Sequence, residues 1–194
     1  FYQRSDFLAL DQTTLRHLEI LEPLRHDAPR NSSLYGALNK TVTPMGARLL
    51  RNWLSQPLSK VESIRQRQDA VQQFLENSFA LDSFRQQLAN VRDLERTIGR
   101  LSSGSGNARD LVAQRIALEQ IPALKQTLAI VGQASRLSPS SLPKLEDNLE
   151  TGATPVLLEN LAAQISESPA LVELISRAIV DEPPLPIKEG GMIR

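Results

Sequence analysis

The 194-residue chain carries 22 Lys plus Arg against 22 Asp plus Glu, a formal net charge of zero, with 41% apolar residues and no cysteine. The apolar fraction argues against disorder, and the missing cysteines exclude disulfides, thiolate zinc sites and thiol catalysis. Balanced charge lacks the basic excess of a domain that grips phosphates over a broad face, so any nucleic-acid contact must be local. Leucine supplies 31 residues while aromatics are only 4%, which favours helices over strands. No apolar run approaches the roughly 18 residues of a membrane span, and no charged segment precedes an apolar one as in a secretory signal.

In chain order, Asp11 is placed to cap a short helix with Leu15, Leu18 and Leu21, which Pro23 and the polar stretch from Arg25 to Asn31 interrupt. Leu34 and Leu38 mark a turn or two of helix. Thr43 and Pro44 then form a well-specified helix start, a hydroxyl cap followed by a proline whose missing N–H is no loss there. Met45, Leu49, Leu50, Trp53 and Leu54 fall on one face, predicted as core, while Arg48, Arg51 and Asn52 project elsewhere and Pro57 ends the helix. Gly46 in the first turn costs about 1 kcal/mol relative to Ala, which suggests close approach by another backbone.

Ser59-Lys60-Val61-Glu62 has the form of a capping box, and Val61, Ile64, Val71, Phe74 and Leu75 give a helical stripe up to Asn77. From Leu81 a further stripe runs through Phe84, Leu88, Val91, Leu94, Ile98 and Leu101 to the flexible run Ser102-Ser103-Gly104-Ser105-Gly106. Asn107, with Asp110 three residues on, caps the next helix, and Pro122 kinks or restarts it. Residues 132–155 read as a loop with a short helix around Leu142 to Leu149. Thr154-Pro155 and Ser168-Pro169 repeat the cap-plus-proline start, and after Asp181 the prolines 183, 184 and 186 stop any helix, leaving residues 186–193 extended.

Chemistry is sparse. No lysine follows a glycine as a phosphate-binding loop requires, and Gly104-Ser105-Gly106 has Arg109 where a dinucleotide fingerprint needs its third glycine, so it reads as a helix-linking loop. His17 and His26 lack a third ligand or a reactive serine, and the adjacent acids Glu146-Asp147 and Asp181-Glu182 read as solvated. Arg92, Arg96 and Arg100 at four-residue spacing predict a basic row on one helix face. With Asp93 and Glu95 close by, a salt-bridged surface outweighs a phosphate-binding one, although weak DNA or interdomain contacts stay open for these three and for Arg48 and Arg51. The residues alone describe a helical module with no catalytic, cofactor or metal site.

The stretch from Leu38 to Leu58, with Thr43, Pro44, Gly46, Arg48, Leu49, Leu50, Trp53, Leu54, Pro57 and Leu58 as its signature, resembles the core-domain signature of the MutS family of DNA mismatch-repair ATPases. Asn39 stands where a typical member has Asp. Asp11 to Glu19, Arg65 to Val71, Val91-Arg92-Asp93-Leu94-Glu95-Arg96, Asn107-Ala108-Arg109-Asp110-Leu111 and the closing Gly190-Gly191-Met192-Ile193 resemble further parts of that core in the same order, least well between residues 132 and 155.

The resemblance implies an all-α fold, a multi-helical core and lever bundle over residues 1–194 cut from a larger multidomain protein. Residues 1–30 would lead in from a connector domain and residues 184–194 would approach a DNA clamp. The start at Phe1 without a methionine agrees with that expectation. It implies a noncatalytic segment linking DNA clamping to an ATPase domain, with ATP and magnesium bound in that domain and not here. Implied partners are mismatched duplex DNA through the parent, the neighbouring connector, clamp and ATPase domains, and a second copy in a homodimer, in a bacterial cytoplasm and without a membrane. It also implies a helix returning from the clamp to pack on this segment, which leaves an apolar face uncovered here. Two alternatives remain: a self-contained helical adaptor that binds another protein, and the core of a MutS paralogue acting in recombination control.

Overall fold

The computed structural model describes residues 6–137, 157–184 and 191–193. Ten α-helices lie among them: α1 (Gln12–His17), α2 (Leu34–Leu38), α3 (Pro44–Ser55), α4 (Val61–Glu76), α5 (Ser78–Ala89), α6 (Leu94–Ser102), α7 (Ala108–Glu119), α8 (Ile121–Leu137), α9 (Leu157–Gln164) and α10 (Pro169–Ala178). A single 3-10 turn, Arg30–Ser32, precedes α2. The all-α expectation holds; β pairing among the described residues is confined to two isolated bridges, Phe7 with Leu58 and Ile179 with Ile193.

Side-chain caps set most of the helix starts. Asp11 accepts from the Thr14 N–H (2.6 Å), Ser33 from Gly36 (3.1 Å), Thr43 from Gly46 (3.0 Å) and Asn77 from Ala80 (3.1 Å), each satisfying a donor that the first turn leaves unpaired. Pro44 and Pro169 both open their helices. Ser168 makes no side-chain cap bond, and neither does Lys60, the residue at the cap of α4, so the capping box expected at Ser59 to Glu62 is not what starts that helix. Pro122 restarts the chain into α8 directly after Gln120 ends α7. Helix α8 runs on to Leu137, past residue 132 where the sequence pattern predicts a loop. The expected helix near Leu142 to Leu149 and the Thr154-Pro155 start lie outside the described residues.

Two clusters form the interior. The larger joins α4, α5, α8 and α9 through Ala70, Ala80, Leu128, Val131, Leu158 and Ala162, with Phe74 and Phe84 packed against it. Small residues at three of these positions let backbones come close. At Gly132 an added Cβ would stand 2.9 Å from Glu159 Cγ. The second cluster, Val91, Ala117 and Leu124 with Met45, Leu88 and Leu94 around it, joins α3, α5, α6, α7 and α8.

Of the apolar stripe read along α4, this packing turns only Phe74 to the core. Ala70 and Gln73 are its buried residues, whereas Val71 is 60% and Leu75 is 64% exposed. Val61 and Ile64 are exposed as well, and Phe79 at the start of α5 is 85% exposed. Helix α4 is apolar on two faces, and periodicity alone cannot say which meets the core. The continuous stripe from Leu81 to Leu101 also divides. The chain leaves α5 at Asn90, drops Val91 into the second cluster, and restarts at Asp93.

Glycine at 106 is required by contact rather than by backbone angle. A Cβ there would meet Leu101 Cδ2 at 2.6 Å and Leu101 Cα at 3.0 Å, while one on Gly99 would meet nothing within 4 Å. Gly106→Ala is therefore expected to destabilise by about 1–3 kcal/mol through overpacking. In the same urea titration Gly99→Ala, inside α6, should be stabilising by up to about 1 kcal/mol.

Candidate functional site

The candidate site is a set of arginine braces around two Arg-Asp-Leu triplets, Arg92-Asp93-Leu94 and Arg109-Asp110-Leu111, which open α6 and α7. In each triplet the aspartate serves its own helix and also receives an arginine from elsewhere. Asp93 caps α6 by accepting from the Arg96 N–H (3.3 Å). It also takes a two-pronged contact from Arg48 of α3, Nη1 to Oδ2 at 2.8 Å and Nη2 to Oδ1 at 2.7 Å. Arg48 Nε adds a bond to Glu95 Oε2 at 3.0 Å, and its Nη2 reaches the same oxygen. Such fork-to-fork pairs fix orientation as well as distance.

Asp110 completes a capping box, exchanging bonds of 3.1 Å with the Asn107 backbone N–H and, through its own N–H, with the Asn107 side chain. Its remaining oxygen accepts from Arg100 Nη2. With Asp93 satisfied by Arg48 and Asp110 by Arg100, the triplets' own arginines are left over. Among the described residues Arg92 has no hydrogen-bond or ion-pair partner, and Arg109 Nε donates only to the Pro183 carbonyl at 2.9 Å. Nearby Arg115 donates to Asp181 (2.9 Å) and to Ser176 Oγ (3.3 Å), fastening the segment after α10 to α7.

The expected basic row of Arg92, Arg96 and Arg100 does not exist. Arg92 lies in the turn before α6, so it cannot share that helix's face. Arg96 pairs with Asp93 and Arg100 with Asp110. The salt-bridged reading of Arg96 and Arg100 agrees with these pairs; the missing fact was where the helix begins.

Helix α3, the signature helix, is held to its surroundings mainly by polar tips. None of its residues is fully buried. Besides the Arg48 fork, Arg51 pairs with Glu22 (2.8 Å) and lies 5.6 Å from the centre of the Tyr35 ring, whose hydroxyl reaches the Ala47 carbonyl (3.4 Å). Leu50 and Leu54 are half-buried and Met45 touches the second cluster, whereas Leu49 is exposed. Trp53 was expected in the core; it is 41% exposed, with the Arg67 guanidinium of α4 stacked 3.7 Å from its ring centre. Partial burial pushes the Arg67 pKa down from its ordinary value. Gly46 faces Thr43 Oγ1 (3.1 Å from an added Cβ) and the Thr41 side chain rather than another backbone, so its space is taken by the cap itself. Pro57 and Leu58 form an edge for the chain's beginning, with Leu8 N–H donating to the Pro57 carbonyl (2.8 Å) and Ser59 N–H to the Asp6 carbonyl (3.0 Å). Asn39 accepts from the Thr41 hydroxyl at 2.6 Å, holding the turn into the signature.

The Arg48 guanidinium holds the Asp93 carboxyl at about 2, below its ordinary 3.8. A carboxyl depressed by folding contributes stability that is present above its unfolded value and lost as pH falls through the folded one. Stability should therefore decline as pH drops from about 4 to about 2. Asp93→Asn should flatten that decline in acid-unfolding curves.

Among the described residues no group of three His, Cys, Asp or Glu is placed to hold a metal, and no helix is long and apolar enough to cross a membrane. Gly104, with φ at +73°, turns the loop that joins α6 to α7, as its composition predicted.

The family described as MutS domain III matches residues 13–194. The chain belongs to the MutS family. It is 41% identical to the DNA mismatch repair protein MutS of Methanosarcina barkeri over 100% of this chain and 19% of that protein. It is 40% identical to the MutS of Myxococcus xanthus over 99% of this chain and 19% of that one, and 36% identical to the MutS of Geobacillus thermodenitrificans over 100% and 19%. The chain thus spans about a fifth of the length of these relatives, the stretch that corresponds to domain III.

Sequence reasoning found Asp110 as the cap partner of Asn107 but missed the doubled triplet, the Arg100 bond to Asp110, and Tyr35 beside Arg51 and the Ala47 carbonyl. A detectable signal was present for the aspartates, since an Asp or Asn ahead of an apolar helical run marks a cap. Nothing in the sequence pairs Arg48 with Asp93, because that contact joins residues 45 apart.

Proposed function

We propose that the chain acts as the noncatalytic helical scaffold of a mismatch-repair protein, carrying movement between DNA-contacting and nucleotide-binding parts. The observation that carries this reading is the Arg48 fork on Asp93, which ties the signature helix to the first turn of α6 through directional, charged contacts. A helix attached this way moves as a unit and has a discrete alternative in which the fork is open. Membership in the MutS family supports the repair role. ATP and magnesium would act in an ATPase domain outside these residues, and mismatched duplex, the connector and clamp domains and a second copy in a homodimer would be the partners, in the cytoplasm. The uncovered face of Val71, Leu75 and Phe79 supports packing by a helix from elsewhere in such a protein.

The test uses a full-length MutS carrying this segment. Arg48→Ala and Asp93→Asn should leave ATP hydrolysis without DNA intact while uncoupling it from mismatched duplex, seen as slower ATP-driven release. Trp53→Ala should weaken the same coupling through the lost Arg67 stack. Unchanged stimulation and unchanged release in all three variants would refute the scaffold role.

A further inference from the structure

The stretch that follows α10 is strapped to α7 by two arginines, and one of them has a second carboxylate waiting beside it. Arg109 Nε donates to the Pro183 carbonyl at 2.9 Å. Arg115, whose side chain is only 15% exposed, donates through Nη1 to Asp181 Oδ1 (2.9 Å) and to Ser176 Oγ (3.3 Å). Glu119 lies one turn further along α7, with its Oε1 3.6 Å from Arg115 Nε. That is near enough for charge attraction and too far for a hydrogen bond. Arg115 Nε is buried and has no hydrogen-bond partner.

A buried donor left unpaired costs free energy, more so on a charged group. A small rotation of the guanidinium would bring Nε onto Glu119, an i,i+4 neighbour on the same helix. Arg115 therefore has two discrete arrangements. In one Asp181 is bonded and Nε is unmet; in the other Glu119 is bonded and Asp181 is let go.

The strap can lift without α10. Ile175, 4% exposed, anchors that helix, and the chain turns extended at Ile179. Beyond that point its holds include the Arg115–Asp181 pair, the Arg109 bond and the Val180 N–H, which donates to the Met192 carbonyl at 3.1 Å. Asp181 is 59% and Glu119 43% exposed, so water can hydrate whichever carboxylate is released.

We propose that Arg115 is a two-position latch. It fastens the segment from Ile179 to Pro183 while bonded to Asp181 and frees it on turning to Glu119, so Glu119 competes with the strap and does not reinforce it. Ser176, on the anchored helix, steadies Arg115 in both positions. The latch goes beyond the scaffold role, since it governs the stretch after α10 and not the signature helix, and it does not depend on that reading.

The test is hydrogen exchange followed by mass spectrometry on a full-length MutS carrying this segment, with ATP hydrolysis in the absence of DNA as the check that each variant is folded. Exchange at residues 179–182 reports how often the strap is open. Asp181→Asn should speed it about threefold, the size of a half-exposed ion pair. Glu119→Gln should slow it about twofold, because the released state loses its partner. Arg115→Gln should speed exchange as Asp181→Asn does, and adding Glu119→Gln to it should change nothing further. Unchanged or faster exchange in Glu119→Gln would overturn the proposal, since Glu119 would then be a bystander or a brace. So would a Glu119→Gln effect that persists without Arg115, or a slowing that extends equally over residues 169–175.

Discussion

Leu128→Ala is expected to destabilise the chain by about 3 kcal/mol, within the range for a leucine removed from a close-packed site. The residue is 6% exposed and sits in the larger cluster between α4, α5, α8 and α9. Its loss forfeits transfer free energy and opens a void that helices fastened on several sides cannot fully close. Leu75→Ala removes the same atoms from the outer face of α4 and should change stability by no more than about 0.5 kcal/mol. The two variants belong in one set of urea curves, where the midpoint of the first should fall and that of the second should stay. Comparable losses in both would mean that the outer face of α4 is covered in solution, which concentration dependence of the curves would reveal.

Asp93→Ala is the second large effect, expected at about 2–3 kcal/mol, because the side chain serves as a cap and as an ion-pair partner at once. Its carboxylate is 16% exposed, so the charged contacts are only partly screened by water. Asn at this position keeps an oxygen for the Arg96 N–H and should recover the capping share, about 1 kcal/mol. The difference between the two substitutions separates the local role from the long-range one. If Arg48→Ala is combined with Asp93→Asn, the second change should add little to the first, since both remove the same fork. Additive losses would show that Asp93 matters to α6 alone.

These predictions also mark what was legible beforehand. Helix starts were, because a cap is local: Asp11, Thr43 and Asn107 announce themselves within three residues, and Pro44, Pro122 and Pro169 fix the chain where their rings demand. Which face of a helix turns inward was not. On α4 the large residues Val71 and Leu75 point away while Ala70 meets the core, since the neighbours across the interface present small residues and a close approach. Trp53 misled for a related reason. Its ring is partly covered by a cation from α4, and a stacked arginine leaves no mark in an apolar pattern. The braces were the least legible of all. Each aspartate could be recognised as a cap, but its arginine comes from a separate helix, and charge complementarity over such a separation has no periodicity to betray it.

The polar attachment of α3 has a thermodynamic consequence. Detaching a helix buried in grease exposes hydrocarbon to water and brings a large heat-capacity increment, so its equilibrium drifts strongly with temperature. Opening the Arg48 fork and the Arg51 pair uncovers Asp93, 16% exposed, beside Arg48, Arg51 and Glu22, which already meet water, and the half-buried Leu50 and Leu54 add a limited apolar area. Such an opening would carry a smaller heat-capacity increment than that of a fully buried helix and would respond to ionic strength, which screens exposed pairs beyond about 10 Å at 0.1 M salt. The signature helix would then drift less from cold to warm surroundings than a buried one and shift with the electrolyte around it.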